Sequence, residues 1–473
     1  MSPEELTRLS IAEVGELLRR RALSPVELTR AYLDRIQRED GDRLAYITVL
    51  RNEALAAATA AEREIAGGHS RGPLHGIPIA LKDLIMTRGI RTTCGSRILK
   101  DWVPDADATV ARRLAEAGAI LLGKLNMHEF AYGPTGVNPH YGTSRNPWDR
   151  GRMPGGSSSG SAVAVAAGLC AGALGTDTGG SVRIPAAFCG LVGLKPTYGR
   201  VSRAGVIPLA WSLDHVGPMT RTVTDAALLL QALAGRDPAD PSTADVPVPD
   251  YARAMQGEIR GLTLGLPKDL FFERLDPEVR AAVLAAARSL EGLGASLEEI
   301  PLPKIRHAGP ASFAIIVSEA TAYHEPYLKT RAAEYGADVR ARLMTGQFIL
   351  AGHYLKAQRA RQVIRAEMDL ALRRVHALLL PTTPVPAPPL DAREVTVDGV
   401  TEDVRAWLIR CTRPINVTGH PALSVPCGLT AAGLPIGLQI VGRHFDEATV
   451  LQIGRAFEAV SPMRERRPPL DSK

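Results

Sequence analysis

The residues best suited to chemistry stand together in residues 155–185, GGSSSGSAVAVAAGLCAGALGTDTGGSVRIP. A glycine/serine turn with Ser157, Ser158 and Ser159 opens the segment, and a second glycine-rich turn holds Ser181. The small residues between them predict a compact helical unit with one glycine-supported serine at either end. A serine hydroxyl attacks a carbonyl when a base takes its proton and backbone N–H groups face the oxyanion that forms. Thr178-Gly179-Gly180-Ser181 can present such donors, because glycine lets the backbone turn sharply and approach a substrate closely. Neither turn contains a histidine, so the base is sought elsewhere. Lys82 directly follows the apolar run 77–81. Burial in such surroundings disfavours the ammonium form, which makes a lysine a usable base near neutral pH.

Each piece has an ordinary reading when taken alone. GGSSSG is commonly a flexible turn, GGS is often only a turn, and a lysine after an apolar run usually marks a strand end reaching water. Residues 156–160 also satisfy the G-x-S-x-G pattern of a nucleophile elbow, with Ser158 as the serine. That elbow needs a strand immediately before it, whereas Arg150-Gly151-Arg152-Met153-Pro154 reads as a loop. Residues 118–124, GAILLGK, space like a phosphate-binding loop, but Leu125 stands where Ser or Thr is needed and 119–122 is strand-like. His128-Glu129 lacks the second histidine of a zinc-binding helix and the remaining histidines are scattered, so no metal is expected.

The elements that must position these groups alternate along the chain. Residues 1–66 read as an N-terminal helical segment, with Ser10/Glu13 and Ser24/Glu27 spaced as capping boxes and Pro25 at a tolerated first-turn position. Short apolar runs at 77–81, 119–122, 262–266, 377–380, 422–425 and 436–441 predict buried strands. Helices are predicted between them at 108–117, 224–234 and 277–293, and 305–375 reads as largely helical. This alternation points to an α/β architecture with a buried sheet. Residues 235–250, rich in Pro and Asp, form an irregular connection.

Composition narrows the function classes. Hydrophobic residues make up 45% and aromatics 5%, so the core is built from aliphatic and small side chains. The net charge of +6 is spread thinly, without the concentrated stripe that nucleic-acid binding needs. Five cysteines without a CxxC pair suit reduced thiols in the cytoplasm. No run of 18 apolar residues and no apolar leader is present, so no membrane association is expected.

Taken with their flanking segments, these motifs resemble the amidase signature family. GGSSSG followed by GTDTGGSVRIPA matches its signature, HGIPIALKD its lysine segment, and GLVGLKPTYGRVSR, SLDHVGPMTRTVTDAALLLQ and GLPIGLQIVGRHFDEATVL are also similar to it. The likeness runs from about residue 10 to 460. It implies the amidase signature fold over 1–473 as one domain, a twisted mixed sheet covered by helices on both sides. It also implies a Ser-cisSer-Lys triad with Ser181 as nucleophile, Ser157 bridging on a cis peptide and Lys82 as base. The Thr178, Gly179, Gly180 and Ser181 backbone would form the oxyanion hole, supported by Ser158, Asp177 and Arg183. No cofactor is implied.

The resemblance implies an amidohydrolase acting through an acyl-enzyme on a small-molecule amide, with esters or carbamates (a urethanase activity) as further substrates. The other member of the family to weigh is the glutaminase A subunit of a glutamyl-tRNA(Gln) or aspartyl-tRNA(Asn) amidotransferase, which works with partner subunits. GKLNM, TSRNPWD and KPTYGRVSR resemble that protein. Two departures favour a stand-alone enzyme: His128 follows Asn126-Met127 where the amidotransferase chain usually has Asp, and Ile409 occupies the place of the acid that holds the glutamine amino group. The segment 305–375 is the expected source of specificity, with Tyr323, Phe348, Tyr354 and Trp407 as pocket walls. A homodimer is expected from the commonness of two-fold assembly.

Overall fold

The computed structural model describes residues 1–469. Its strands are β1 (Tyr46–Val49), β2 (Pro78–Lys82), β3 (Ile120–Leu125), β4 (Gly172–Asp177), β5 (Val192–Lys195), β6 (His215–Thr220), β7 (Thr263–Pro267), β8 (Ser296–Ile300), β9 (Ala377–Pro381), β10 (Glu394–Val397), β11 (Val400–Asp403), β12 (Ala422–Leu429) and β13 (Pro435–Gly442). Eleven of them form one mixed sheet in the order β1-β3-β2-β4-β6-β5-β12-β13-β9-β7-β8, and β10 and β11 make a separate hairpin. Helices flank the sheet, as the α/β reading and the amidase signature fold require. Every residue of β2, β4, β6, β9 and β13 is buried. A strand covered on both faces shows a run of apolar residues rather than alternation, which is why 77–81 and 377–380 are recognisable in sequence.

The register explains how distant residues meet. Strands β2 and β4 are parallel neighbours, with Ile79 opposite Gly172 and Leu81 opposite Leu174. Their C-terminal ends therefore reach the same edge, bringing Lys82 beside the loop that follows Asp177. On the far side of β4, β6 runs antiparallel and places His215 opposite Asp177.

The sequence reading needs several corrections. The segment 1–66 is helical except for β1, which pairs with β3. Its Ser10/Glu13 capping box forms in full, but at Ser24 only the serine half does, and the Ser24 hydroxyl itself donates to Glu62. Residues 155–185 are not a single helical unit: the helix Ser159–Ala166 gives way to β4 before Ser181. Strand β4, GALGTD, has no β-branched residue before Thr176 and so carries no strand signal. The segment 305–375 is helical throughout most of its length, in Ala308–Arg331, Ala337–Thr345 and Ala351–Arg374.

Candidate active site

Lys82 ends β2 with its side chain fully buried. Its Nζ donates to Ser157 Oγ at 2.6 Å and to Thr176 Oγ1 at 2.8 Å. Burial pushes the ammonium down to about 7, and the carboxylates Asp177 and Asp214 restrain the fall. Lys82 is therefore poised between its two protonation states at neutral pH.

Ser157 follows a cis peptide bond from Gly156, and its carbonyl accepts the His128 N–H at 3.0 Å. Ser158 and Ser181 are tied through the backbone, the Ser158 N–H donating to the Ser181 carbonyl at 3.2 Å. The Ser158 hydroxyl is buried against the backbone of Thr176, donating to its carbonyl and accepting from its N–H, each at 3.2 Å. That arrangement excludes Ser158 as an elbow nucleophile. Gly175 makes room for it, since a Cβ there would stand 2.7 Å from Ser158 Oγ. Ser181 retains 8% of its surface exposed, and among the described residues its hydroxyl takes part in no hydrogen bond.

The loop carrying Ser181 is fixed by a buried ion pair. Asp177 accepts Arg183 Nε at 3.0 Å and Arg183 Nη2 at 2.9 Å, together with the Gly180 and Val182 N–H groups at 2.8 and 3.1 Å. Asn416 Nδ2 adds a bond at 2.8 Å. Arg183 in turn donates to Gln439 Oε1 at 2.5 Å and to Asn416 Oδ1 at 2.6 Å. Burial alone would raise the Asp177 carboxyl, yet Arg183 and Asn416 hold it well below the usual carboxylate range. The Gly180 N–H is thus spent on Asp177, a correction to the four-residue oxyanion hole expected from sequence. The N–H groups of Thr178, Gly179 and Ser181 find no acceptor among the described residues and are left free for a ligand. Gly180 has φ +131°, a conformation L side chains rarely adopt.

Sequence reasoning missed several contributors. Thr176 shares Lys82 with Ser157; the Thr178 hydroxyl donates to Asp214 at 2.5 Å; the Thr412 hydroxyl donates to the Gly179 carbonyl at 2.7 Å. Asn416 and Gln439 complete the Asp177–Arg183 network. Asn416 lies in the Pro-Ile-Asn run and Gln439 in GLPIGLQIVGR, both segments visible as motifs, but nothing local shows which of their residues point at the Ser181 loop. A cavity of about 250 Å³ is lined by Thr176, Thr178 and Asp214 together with Trp211 and Ile207.

The four pocket walls expected from sequence divide. Trp407 has no exposed surface and packs with Ile184 and Phe188 in a satellite core, its Nε1 donating to the Val395 carbonyl, so it lines no pocket. Phe348 is 79% exposed on the outer surface. Both are corrections: an indole filling a core and a phenyl ring in water cannot shape a site. Tyr354 is half-buried and donates to Glu319 at 2.9 Å, and Tyr323 stands edge-on to His324 at 5.0 Å. Asp369, His420 and His444 offer ligand atoms within 4.8 Å of one another, the one such group among the described residues. No helix among the described residues is long and apolar enough to cross a membrane.

The amidase family matches residues 27–451. The chain is 46% identical to the A subunit of the glutamyl-tRNA(Gln) amidotransferase of Moorella thermoacetica, covering 98% of this chain and 99% of that protein. It is 47% identical to the corresponding protein of Geobacter metallireducens, which carries the same name, covering 96% and 97%. Among solved structures it is similar to a chain of a vestigial protein complex linked to the origins of an s-triazine catabolic enzyme, at 35% identity and a TM-score of 0.92 over 96% of this chain and 98% of that one. The native peptide amidase of Stenotrophomonas maltophilia superposes with a TM-score of 0.86 at 34% identity, covering 98% and 99%. With the family matched along nearly its whole length, the chain belongs to the amidase signature family.

Proposed function

We propose that the chain hydrolyses a carboxylic amide through an acyl-enzyme on Ser181, with Ser157 and Lys82 relaying the proton. The observation that carries this reading is the buried 2.6 Å contact between Lys82 Nζ and Ser157 Oγ, together with a Ser181 hydroxyl that makes no hydrogen bond among the described residues and sits in a residue only 8% exposed. Neutral Lys82 takes the proton of Ser157 as Ser157 takes that of Ser181, and Ser181 Oγ adds to the amide carbonyl. Charge gathers on the carbonyl oxygen, where the free N–H groups of Thr178, Gly179 and Ser181 meet it. The proton returns through Ser157 to the leaving nitrogen, the C–N bond breaks, and water releases the acyl group by the same relay.

Because the base form of Lys82 is the active one and burial holds its ammonium near 7, kcat/KM is expected to rise as the pH climbs through about 7. A pH–rate profile checks this. Activity that falls with pH over the same range would rule Lys82 out as the base.

For the setting of this chemistry, the comparisons favour the A subunit of a tRNA-dependent amidotransferase, which releases ammonia from glutamine in a complex with partner subunits. Full-length relatives at 46% and 47% identity carry that name, and this weighs against the stand-alone enzyme expected from sequence. One observation still supports the stand-alone reading: Ile409 packs against the apolar cluster of Trp407 and Leu408 and offers no carboxylate to an amino group. Ammonia release by the purified chain separates the two. Turnover of glutamine that appears only with added partner subunits supports the amidotransferase reading, and turnover of other amides by the chain alone supports the second.

A further inference from the structure

Arg413 begins the helix Arg413–Thr418 directly after Thr412, the residue that bonds the Gly179 carbonyl. Its guanidinium lies against the oxyanion loop, Nε standing 3.8 Å from the point where a Cβ on Gly179 would be. No hydrogen bond or ion pair holds that guanidinium among the described residues, and its Nε is enclosed without an acceptor. The charged and titratable groups nearest it are Tyr132 and Arg342, with the Asp338 carboxylate acting on Tyr132 from beyond them and already taken by Arg342, Arg405 and His128. Arg342 is itself ion-paired with Asp338 and lies over the Tyr132 ring at 4.7 Å. The Tyr132 hydroxyl is likewise enclosed without a partner.

Tyr132 is brought there by an unusual backbone. Phe130 and Ala131 both adopt left-handed conformations, with φ 47° and 58°. Side chains rarely accept that geometry, so two in succession mark a segment held in place by its surroundings. Its result is a phenol and a guanidinium, both lacking a partner, beside the loop that carries Ser181. Arg413 is partly buried: its Nε is enclosed while its terminal nitrogens, held by no ion pair, stay open to a ligand that brings a negative charge.

We infer that Arg413 and Tyr132 form an anion subsite for the acyl portion of the substrate, so that the amide cleaved carries a carboxylate a few atoms from its scissile carbonyl and no ammonium group beside it. This rests on Ser181 being the site of amide cleavage and on the stand-alone reading, in which glutamine is not the substrate. Arg413 would take the carboxylate by charge-assisted hydrogen bonds and Tyr132 would donate one more. The carboxylate near Tyr132, Asp338, is already paired with Arg342, Arg405 and His128, which leaves an ammonium group without a free counter-charge. Glutamine therefore fits this subsite less well than glutaramate, the same monoamide without its amino group.

The test uses the full chain in two forms. In a Ser181→Ala background, which separates binding from turnover, calorimetry compares succinamate and glutaramate with neutral butyramide and with glutamine. The anionic monoamides are expected to bind most tightly, and adding Arg413→Met is expected to weaken them on the order of 10²-fold relative to butyramide. In the active chain the ratio of kcat/KM for glutaramate over butyramide is expected to collapse in Arg413→Met, mainly through KM. Arg413→Lys is expected to recover part of that ratio and Tyr132→Phe to lower it several-fold. If Arg413→Met does not fold, Arg413→Lys and Tyr132→Phe read the same ratio. Equal binding of butyramide and glutaramate, or a ratio unmoved by Arg413→Met, overturns the subsite, and tighter binding of glutamine than glutaramate overturns the exclusion of ammonium. Undiminished turnover in Ser181→Ala sinks the nucleophile assignment instead, and the calorimetry still reads the subsite.

Discussion

Replacing Lys82 by methionine is expected to lower kcat/KM by about four orders of magnitude or more while making the folded chain more stable at neutral pH. The loss of activity follows from removing the one base that contacts Ser157 Oγ among the described residues. The gain in stability follows from linkage. Burial depresses the Lys82 ammonium from 10.5 to about 7. Between those values the unfolded chain holds a proton that the folded chain has released, so wild-type stability climbs with pH across that window. Below about 7 the penalty is constant and at its largest, on the order of 5 kcal/mol at 1.36 kcal/mol per pH unit. Methionine carries no such penalty but forfeits two hydrogen bonds of ~1 kcal/mol each, to Ser157 and Thr176. Calorimetric melting at several pH values should show the variant ahead by the most near pH 7 and the gap closing toward pH 10. Ser181→Ala should match its loss of turnover without that stability gain. A Lys82→Met chain that keeps turnover, or is less stable than wild type at pH 7, would defeat the argument.

Arg183→Met is expected to be the most damaging substitution to the fold around the site, costing about 3–5 kcal/mol, because it leaves a buried carboxylate unpaired. Asp177 would keep the Gly180 and Val182 amides but lose two guanidinium contacts, and Gln439 and Asn416 would lose their donor. Activity should fall with it, since the same carboxylate sets the Thr178–Ser181 backbone. A double-mutant cycle with Asp177→Asn measures the coupling. The pair is expected to cost less together than the sum of the two single variants. Additive costs would mean that the two side chains act independently, which the geometry does not allow.

The sheet was legible in sequence wherever a strand is both aliphatic and doubly covered. It was hidden where the packing tolerates glycine and threonine, as in β4, or where a proline sits inside the strand, as Pro218 does in β6. Ser181 and Lys82 were legible because a glycine turn and an apolar run marked them, and Ser157, Asp177 and Arg183 were singled out by the resemblance to the amidase signature family; the structure brings the five into one region. Thr176, Thr412, Asn416 and Gln439 were not, since a threonine or amide announces nothing until the fold turns it toward a partner. Trp407 and Phe348 misled for the opposite reason. A large aromatic suggests a pocket wall, yet the same area serves a core equally well.

The contacts that hold the Ser181 loop also set when the site can come into being. The bond between Asp177 and Asn416 closes over 239 residues and that between Arg183 and Gln439 over 256. In the sheet, this corresponds to the seam where β5, from the first half of the chain, pairs with β12, from the second. Closures across such separations are slow because the chain must give up its freedom before the contacts reward it. During synthesis a ribosome would release both serines and the lysine long before Asn416 and Gln439 emerge. The nascent chain therefore carries Ser181, Ser157 and Lys82 in an unassembled state, and the proposed site forms only once its last strands are in place.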